Sequence, residues 1–411
     1  MTPLSPSPAS GPISSAERIL VLDIVRGVAL LGIFIMNVPG FSHSLFAAAS
    51  GVELAAGPFD RAAALLREEL FGGKFNSMFS LLFGIGFTIQ LGRLRATQPA
   101  RATLIYVRRL LVLAAIGLVH AGLFWSGDVL LVYAVLGFTL LLLRPVPDAV
   151  LIALIVACLM FPALFEIGRS HLVSPQAEAL AAFDYQDLET SNNLAFGQGT
   201  FVDAASETAR MLAWGYGTPM GRWSYALFYA QMGAGLLLGY LVGRQRWVQG
   251  LDDLMPQVPR AQGAALASSV AGSLVYLATK PGVFVAEPTP TIVFIGIFLH
   301  TASRLALMVF YVLTLVRLTR SAAWQHRLLP FAAAGRMPLT NYLLQTAMGT
   351  FIFYGWGLGL WGRGGAALEI GLAAGLFVFI QLPLSVWWFR RFRYGPLEYV
   401  WRVLSYGGSI T

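Results

Sequence analysis

The chain has 411 residues, 57% of them hydrophobic and 12% charged, with a formal net charge of +8. A soluble protein carries about 25% charged residues, so the composition excludes a soluble globular enzyme, a disordered chain and a collagen-like fibre. One cysteine, Cys158, excludes a disulfide scaffold. What remains is an all-α, polytopic bundle of transmembrane helices.

Residues 1–17 form a Pro/Ser-rich tail expected to be disordered. It lacks a basic stretch before an apolar core, so no cleavable signal peptide is expected. A crossing helix needs about 20 apolar residues. Ten candidate runs follow, at 19–40, 75–92, 110–124, 129–143, 149–166, 223–243, 262–279, 291–316, 337–360 and 367–389. They divide the chain into an N-terminal membrane half (18–166), a polar insertion (167–219) and a C-terminal membrane half (220–411). Segment 60–72 reads as an amphipathic helix at the outer interface.

Lys74 and Lys280 are the only lysines, and the other bases are arginines. With the N-terminus in the cytoplasm, Arg93, Arg95, Arg101, Arg108, Arg109, Arg144, Arg244, Arg246, Arg317, Arg336 and the 390–402 arginines fall on the cytoplasmic side. The opposite side holds far fewer bases. Arginine in short loops fixes orientation, so both termini are expected inside, across a bacterial inner membrane. Bases dispersed in this way argue against a nucleic-acid partner. The insertion at 167–219 carries Asp184, Asp187, Glu189, Asp203 and Glu207 and falls outside.

Ionisable groups within spans are costly and therefore functional candidates. Asp23 and Arg26 share a face of the first span, with Asn37 three turns further out. They read either as a structural ion pair or as an anchor for an anionic substrate. His120 ends one span and Asp128 begins the next across a tight turn. The pair can form an oriented general base, or Asp128 can simply cap a helix. His300 and Arg304 share a face in mid-membrane, where Arg304 needs a partner: Asp23, Glu369 or an anionic ligand. Asn341 and Gln345 share a face of the ninth run, suited to substrate contact or to bonds between helices. No His/Cys set has metal-ligand spacing, so no metal is expected. Gly84 and Gly86 read as close helix packing rather than a nucleotide loop.

Several stretches resemble one family. The first span, Leu22-Asp23 through Arg26-Gly27 to Asn37, resembles the start of the YeiB-like family of bacterial membrane proteins. So do Lys74 through Phe87, the His120–Tyr133 hairpin, Gly335 through Gln345, and Tyr394 through Arg402. The first span is also similar to that of multi-span membrane acyltransferases, among them heparan-glucosaminide N-acetyltransferase. In the polysaccharide branch of that group a histidine follows the arginine by eleven positions, where this chain has Asn37. The lysosomal branch has asparagine there and a histidine in the next loop, where this chain has His43 at another spacing.

The resemblance implies transfer of an acyl group from a cytoplasmic acyl-CoA to a small-molecule, lipid or glycan acceptor at the outer face. Arg26, Arg108, Arg109 and Arg336 would meet the coenzyme's phosphates. His120, oriented by Asp128, would take the acceptor's proton, with His43 as the second candidate. The rival readings are a transporter or flippase of an anionic or lipid-linked substrate, and a non-catalytic scaffold. Flat apolar outer faces would allow a homodimer.

Overall fold

The computed structural model describes residues 15–47, 57–172, 174–280 and 287–406, without the side chains of 15–19, 170–172, 175 and 177–182. Residues 1–14 of the expected tail lie outside the described residues. Regular structure is helical throughout them. The chain runs through α1 (Ser15–Ser42), α2 (Pro58–Phe71), α3 (Lys74–Thr97), α4 (Ala102–Leu123), α5 (Leu130–Leu142) and α6 (Asp148–Leu172). It continues through α7 (Pro175–Gly197), α8 (Phe201–Gly217), α9 (Pro219–Arg244), the single turn α10 (Leu251–Leu254), α11 (Val258–Thr279) and α12 (Pro290–Leu318). α13 (Ala322–Arg336), α14 (Pro338–Phe353), α15 (Ala366–Leu376), a π-turn at Phe377–Gln381, α16 (Leu382–Phe389) and α17 (Pro396–Tyr406) complete it.

Every one of the ten apolar runs contains a helix, and 8 helical stretches among the described residues are long and apolar enough to cross a membrane. The two exceptions are α5, with 13 residues, and α14, with 16. The run at 337–360 outlasts its helix, because the chain leaves α14 at Tyr354 and turns through Gly359 and Gly362, both at positive φ. α5 and α14 share one circumstance. Their outer ends are roofed by the polar insertion, which is not a loop but the hairpin α7–α8. Tyr354 stacks on Phe196 of α7 and the Gly355 amide donates to the Phe196 carbonyl at 2.7 Å. Ser126, just before α5, lies under Met211 of α8. Backbone that stops short within a membrane must be covered by protein, and here α7–α8 covers it.

Close helix contacts rest on small residues. A Cβ on Gly27 would stand 1.9 Å from the Phe331 carbonyl oxygen, and one on Gly335 1.9 Å from that of Asp23, so α1 and α13 touch backbone to backbone. Gly84, Gly235 and Gly239 do the same between α3 and α9. Gly86 faces open space, so close packing accounts for only one of the two glycines.

α2 is amphipathic, with its polar face on the bundle. Its apolar Phe59, Leu65, Leu66 and Leu70 are exposed. Its polar Arg67 and Glu68 reach inward, to Glu369 of α15 and Arg304 of α12. This orientation suits apolar lipid outside and a polar bundle inside.

Candidate functional site

The outer end of the bundle encloses a chamber of about 540 Å³ between α1, α3, the 124–129 turn, α8 and α9. Its polar wall is Asn37, Asn76, Ser126 and Asp128, and its aromatic wall is Trp125, Tyr185, Trp214, Tyr225 and Phe228. The aromatic side chains are held from behind. The Trp125 indole donates to the Gly40 carbonyl at 3.3 Å, the Tyr225 hydroxyl donates to the Ser126 carbonyl at 3.3 Å, and Tyr225 stacks on Tyr216. Oδ1 of Asn76 is buried without a hydrogen-bond partner. Flat rings beside amides and a carboxylate can hold a polar ligand with apolar faces.

His120 and Asp128 do meet across the tight turn, with Nδ1 to Oδ2 at 2.7 Å. The cap reading holds at the same time, since Oδ1 accepts the Leu131 amide at 2.8 Å. Nε2 of His120 lies 3.0 Å from the Thr346 hydroxyl of α14. Asp128 as acceptor assigns the imidazole proton to Nδ1, so the Thr346 hydroxyl donates to Nε2. Both ring nitrogens are then engaged. His120 stands behind Asp128, 3% exposed, and it is Asp128 that lines the chamber.

His43 closes the first span in a different arrangement. Its Nδ1 is 2.8 Å from the Ser42 hydroxyl and 3.2 Å from Oε1 of Glu369. Ser42 donates to the same Glu369 oxygen, and Arg67 of α2 binds the other. Glu369 is 4% exposed. With the imidazole proton on Nδ1, the chain of donors runs from Nδ1–H through the serine hydroxyl to a carboxylate held by a guanidinium, which leaves Nε2 as the lone-pair nitrogen. His43 lines a crevice too narrow for a water molecule, whose wall shares Gly40, Leu45, Trp125, Ser126 and Met211 with the chamber, and His43 itself does not line the chamber. Sequence reasoning noticed His43 but missed Ser42, Arg67 and the role of Glu369. The one available signal was a carboxylate inside the last apolar run.

Most of the remaining candidates lie away from the chamber. Asp23 and Arg26 pair three residues apart, and Arg26 also reaches the Gly335 carbonyl, at the α1–α13 contact rather than at the chamber. Asn37 does line the chamber. The Asn341 amide donates to the Ala334 carbonyl and to Ser385, each at 3.1 Å. The Gln345 amide donates to the Leu30 carbonyl at 3.2 Å and to Gln381 at 3.1 Å. These two side chains tie α1 and α14 to the π-turn. Arg304 pairs with Glu68, not with Asp23 or Glu369, because α2 folds its polar face inward. Arg304 is the middle residue of α12 and His300 lies one turn to its outer side. Arg109 stacks over Trp401 at 3.6 Å and Arg336 over Phe389 at 3.9 Å, while Arg108 is exposed. Arg26 lies within electrostatic range of Arg109, and Arg336 within range of Asp23, the partner of Arg26, so three of these bases stand near one another, each already holding a ring or a carboxylate. Among the described residues no three His, Cys, Asp or Glu side chains stand close enough to hold a metal ion.

Comparison with known proteins gives a consistent result. Residues 242–408 match the family described as "Protein of unknown function (DUF418)". The chain is 31% identical to the uncharacterized protein YxaH of Bacillus subtilis over 415 residues, covering 96% of each chain. It is 29% identical to the uncharacterized protein YeiB of Escherichia coli K12 over 426 residues, covering 95% of this chain and 96% of the relative. An uncharacterized 39.9 kDa protein encoded beside an amylase gene of Bacillus acidopullulyticus is 27% identical, at 96% coverage of each. No solved structure matches significantly. The chain belongs to the YeiB-like, DUF418 family of multi-span helical proteins.

Proposed function

We propose that this membrane protein is an acyltransferase whose acceptor occupies the outer chamber and whose general base is His43. The observation that carries the reading is the relay from His43 through Ser42 to Glu369, locked by Arg67 and separated from the chamber by the wall residues Gly40, Leu45 and Trp125. Nε2 of His43 takes the proton from an acceptor hydroxyl or amine as its oxygen or nitrogen attacks the donor's thioester carbonyl. The carbon–sulfur bond then breaks, and the leaving thiolate receives that proton from His43. Glu369 stays ionised and supports the imidazolium that forms in between.

The chamber's rings and amides suit a glycan or a polar lipid headgroup as acceptor. Asp128 orients it by hydrogen bonding, with His120 holding Asp128. In the half of the bundle nearer the arginines, an apolar cavity of about 230 Å³ lies between α1, α3, α9 and α12, lined by residues such as Val25, Ile85, Leu238 and Val312. It suits the chain of a fatty acyl donor better than a nucleotide.

The test uses purified protein in detergent with acetyl-CoA and longer acyl-CoAs, together with lipid and cell-surface glycan extracts. Release of free thiol that depends on an extract, and is lost in His43→Ala, supports the reading. Saturable ligand binding with no thiol released from any thioester assigns the chamber to transport instead.

A further inference from the structure

A second cavity, of about 300 Å³, lies between α6, α9 and α12 on the far side of Phe228. Leu159, Pro162, Leu227 and Ile297 give it an apolar wall, and Gln231, His300 and Arg304 a polar one. His300 is 8% exposed and stacks on Tyr276 with ring centres 4.0 Å apart. Two buried nitrogens here have no hydrogen-bond partner: Nδ1 of His300 and Nε of Arg304. Arg304 gives one terminal N–H to Glu68, and Lys74 gives its ammonium to the Glu68 carbonyl. The Arg304 side chain is 27% exposed, and a guanidinium in a bilayer with one terminal N–H on Glu68 has further donors to offer an acceptor in this cavity.

Position narrows the ligand. Arg304 is the middle residue of α12 and His300 lies one turn to its outer side, so a headgroup drawn in from the outer leaflet has the shorter path to both. The apolar wall residues are half-buried rather than sealed, and they lie on membrane-crossing helices. We propose that this cavity holds the anionic headgroup of an outer-leaflet lipid, its phosphate or carboxylate oxygens on Arg304, His300 and Gln231 and its chain along Leu159, Leu227 and Ile297. The assignment does not depend on acyl transfer. Phe228 lines both cavities, so a lipid bound here sits one side chain from the chamber.

The experiment is native mass spectrometry of the full chain released from nanodiscs of equal phosphatidylglycerol and phosphatidylcholine. The site predicts one retained phosphatidylglycerol, favoured at least about tenfold over phosphatidylcholine, whose choline cation would set a like charge beside the Arg304 guanidinium. Arg304→Gln and Ile297→Trp should each abolish that preference, the second by filling the apolar wall without touching a charge. If Arg304→Gln fails to fold, Ile297→Trp and Gln231→Leu carry the test. Equal retention of the two lipids by the native chain overturns the proposal, as does undiminished preference in the variants that fold. Thermal stabilisation by inorganic phosphate in lipid-free detergent, not competed by phosphatidylglycerol, would reassign the site to a free anion.

Discussion

Nδ1 of His43, at the end of the first span, lies 3.2 Å from Oε1 of Glu369, in the last. The contact joins the two ends of the chain at the outer face, and Arg67 from α2 completes it. Glu369→Gln should therefore cost both function and fold. Arg67 is left partly buried without its counter-charge, a loss on the order of 3 kcal/mol, and the imidazole loses its anionic support. We expect thiol release to fall by about 10² or more and the melting temperature to drop. Unchanged values for both would remove the relay from the mechanism.

His43→Ala and His120→Ala should separate chemistry from support. His43 is a half-buried end group, so its removal should abolish turnover while unfolding stays near that of the native chain. His120 fills a fully packed position between Asp128 and Thr346. Its removal leaves a buried carboxylate short of a donor, costing about 1–3 kcal/mol, and should lower turnover only through looser acceptor binding. The check is a KM-against-kcat comparison beside a melting curve.

Two glycines make a clean steric pair. Gly335→Ala drives a methyl into the Asp23 carbonyl oxygen, where backbone cannot yield. It should destabilise by about 1–3 kcal/mol or more. Gly86→Ala meets nothing within 4 Å and should be neutral or stabilising by up to about 1 kcal/mol, the helix preference of alanine. Urea or thermal unfolding in mild detergent reads both.

Glu398 of α17 accepts the Leu339 and Thr340 amides and the Thr340 hydroxyl, so it caps the start of α14. Burial pushes its carboxyl above the ordinary range, against the lowering effect of those hydrogen bonds. Below that range both folded and unfolded chains are protonated. As pH rises, the unfolded chain releases its proton first, so this group's contribution to stability declines until the folded carboxyl also ionises. Glu398→Gln keeps an oxygen for the two amides and cannot ionise. It should flatten that decline, whereas Glu398→Ala should lose the cap and about 1 kcal/mol. Melting temperatures across mildly acidic to neutral pH distinguish the three chains.

Much of this architecture was written in local pattern. Apolar runs marked every membrane helix, because a span is a contiguous property of the sequence. The His120–Asp128 contact was readable for the same reason, since a tight turn leaves the two side chains little choice. The relay at His43 was not, because Arg67 and Glu369 come from distant helices and no spacing rule links them. The hairpin α7–α8 was read as a loop on its polarity, although Leu188, Phe196 and Met211 supply the intermittent buried face that seats it on the bundle. The turn after α14 was overrun because its glycines sit among large apolar residues. Glu68 is absent from the carboxylates expected for Arg304, because no spacing rule links α2 to α12.

The roofed short helix α5 has an electrical consequence. Its 13 residues span about 20 Å, against a hydrocarbon thickness of about 30 Å. A chamber that admits water above it carries the outside potential inward by roughly the difference, so the membrane voltage falls across the remaining two-thirds or so. A charge created or moved at Asp128 then sits on the outer side of that field. A charge entering from the arginine-rich end would have to cross nearly all of it, at about 2.3 kcal/mol for each elementary charge per 100 mV. Cell polarisation would thus weigh on charges that reach the chamber from the inner side and scarcely at all on those that enter it from the outer side.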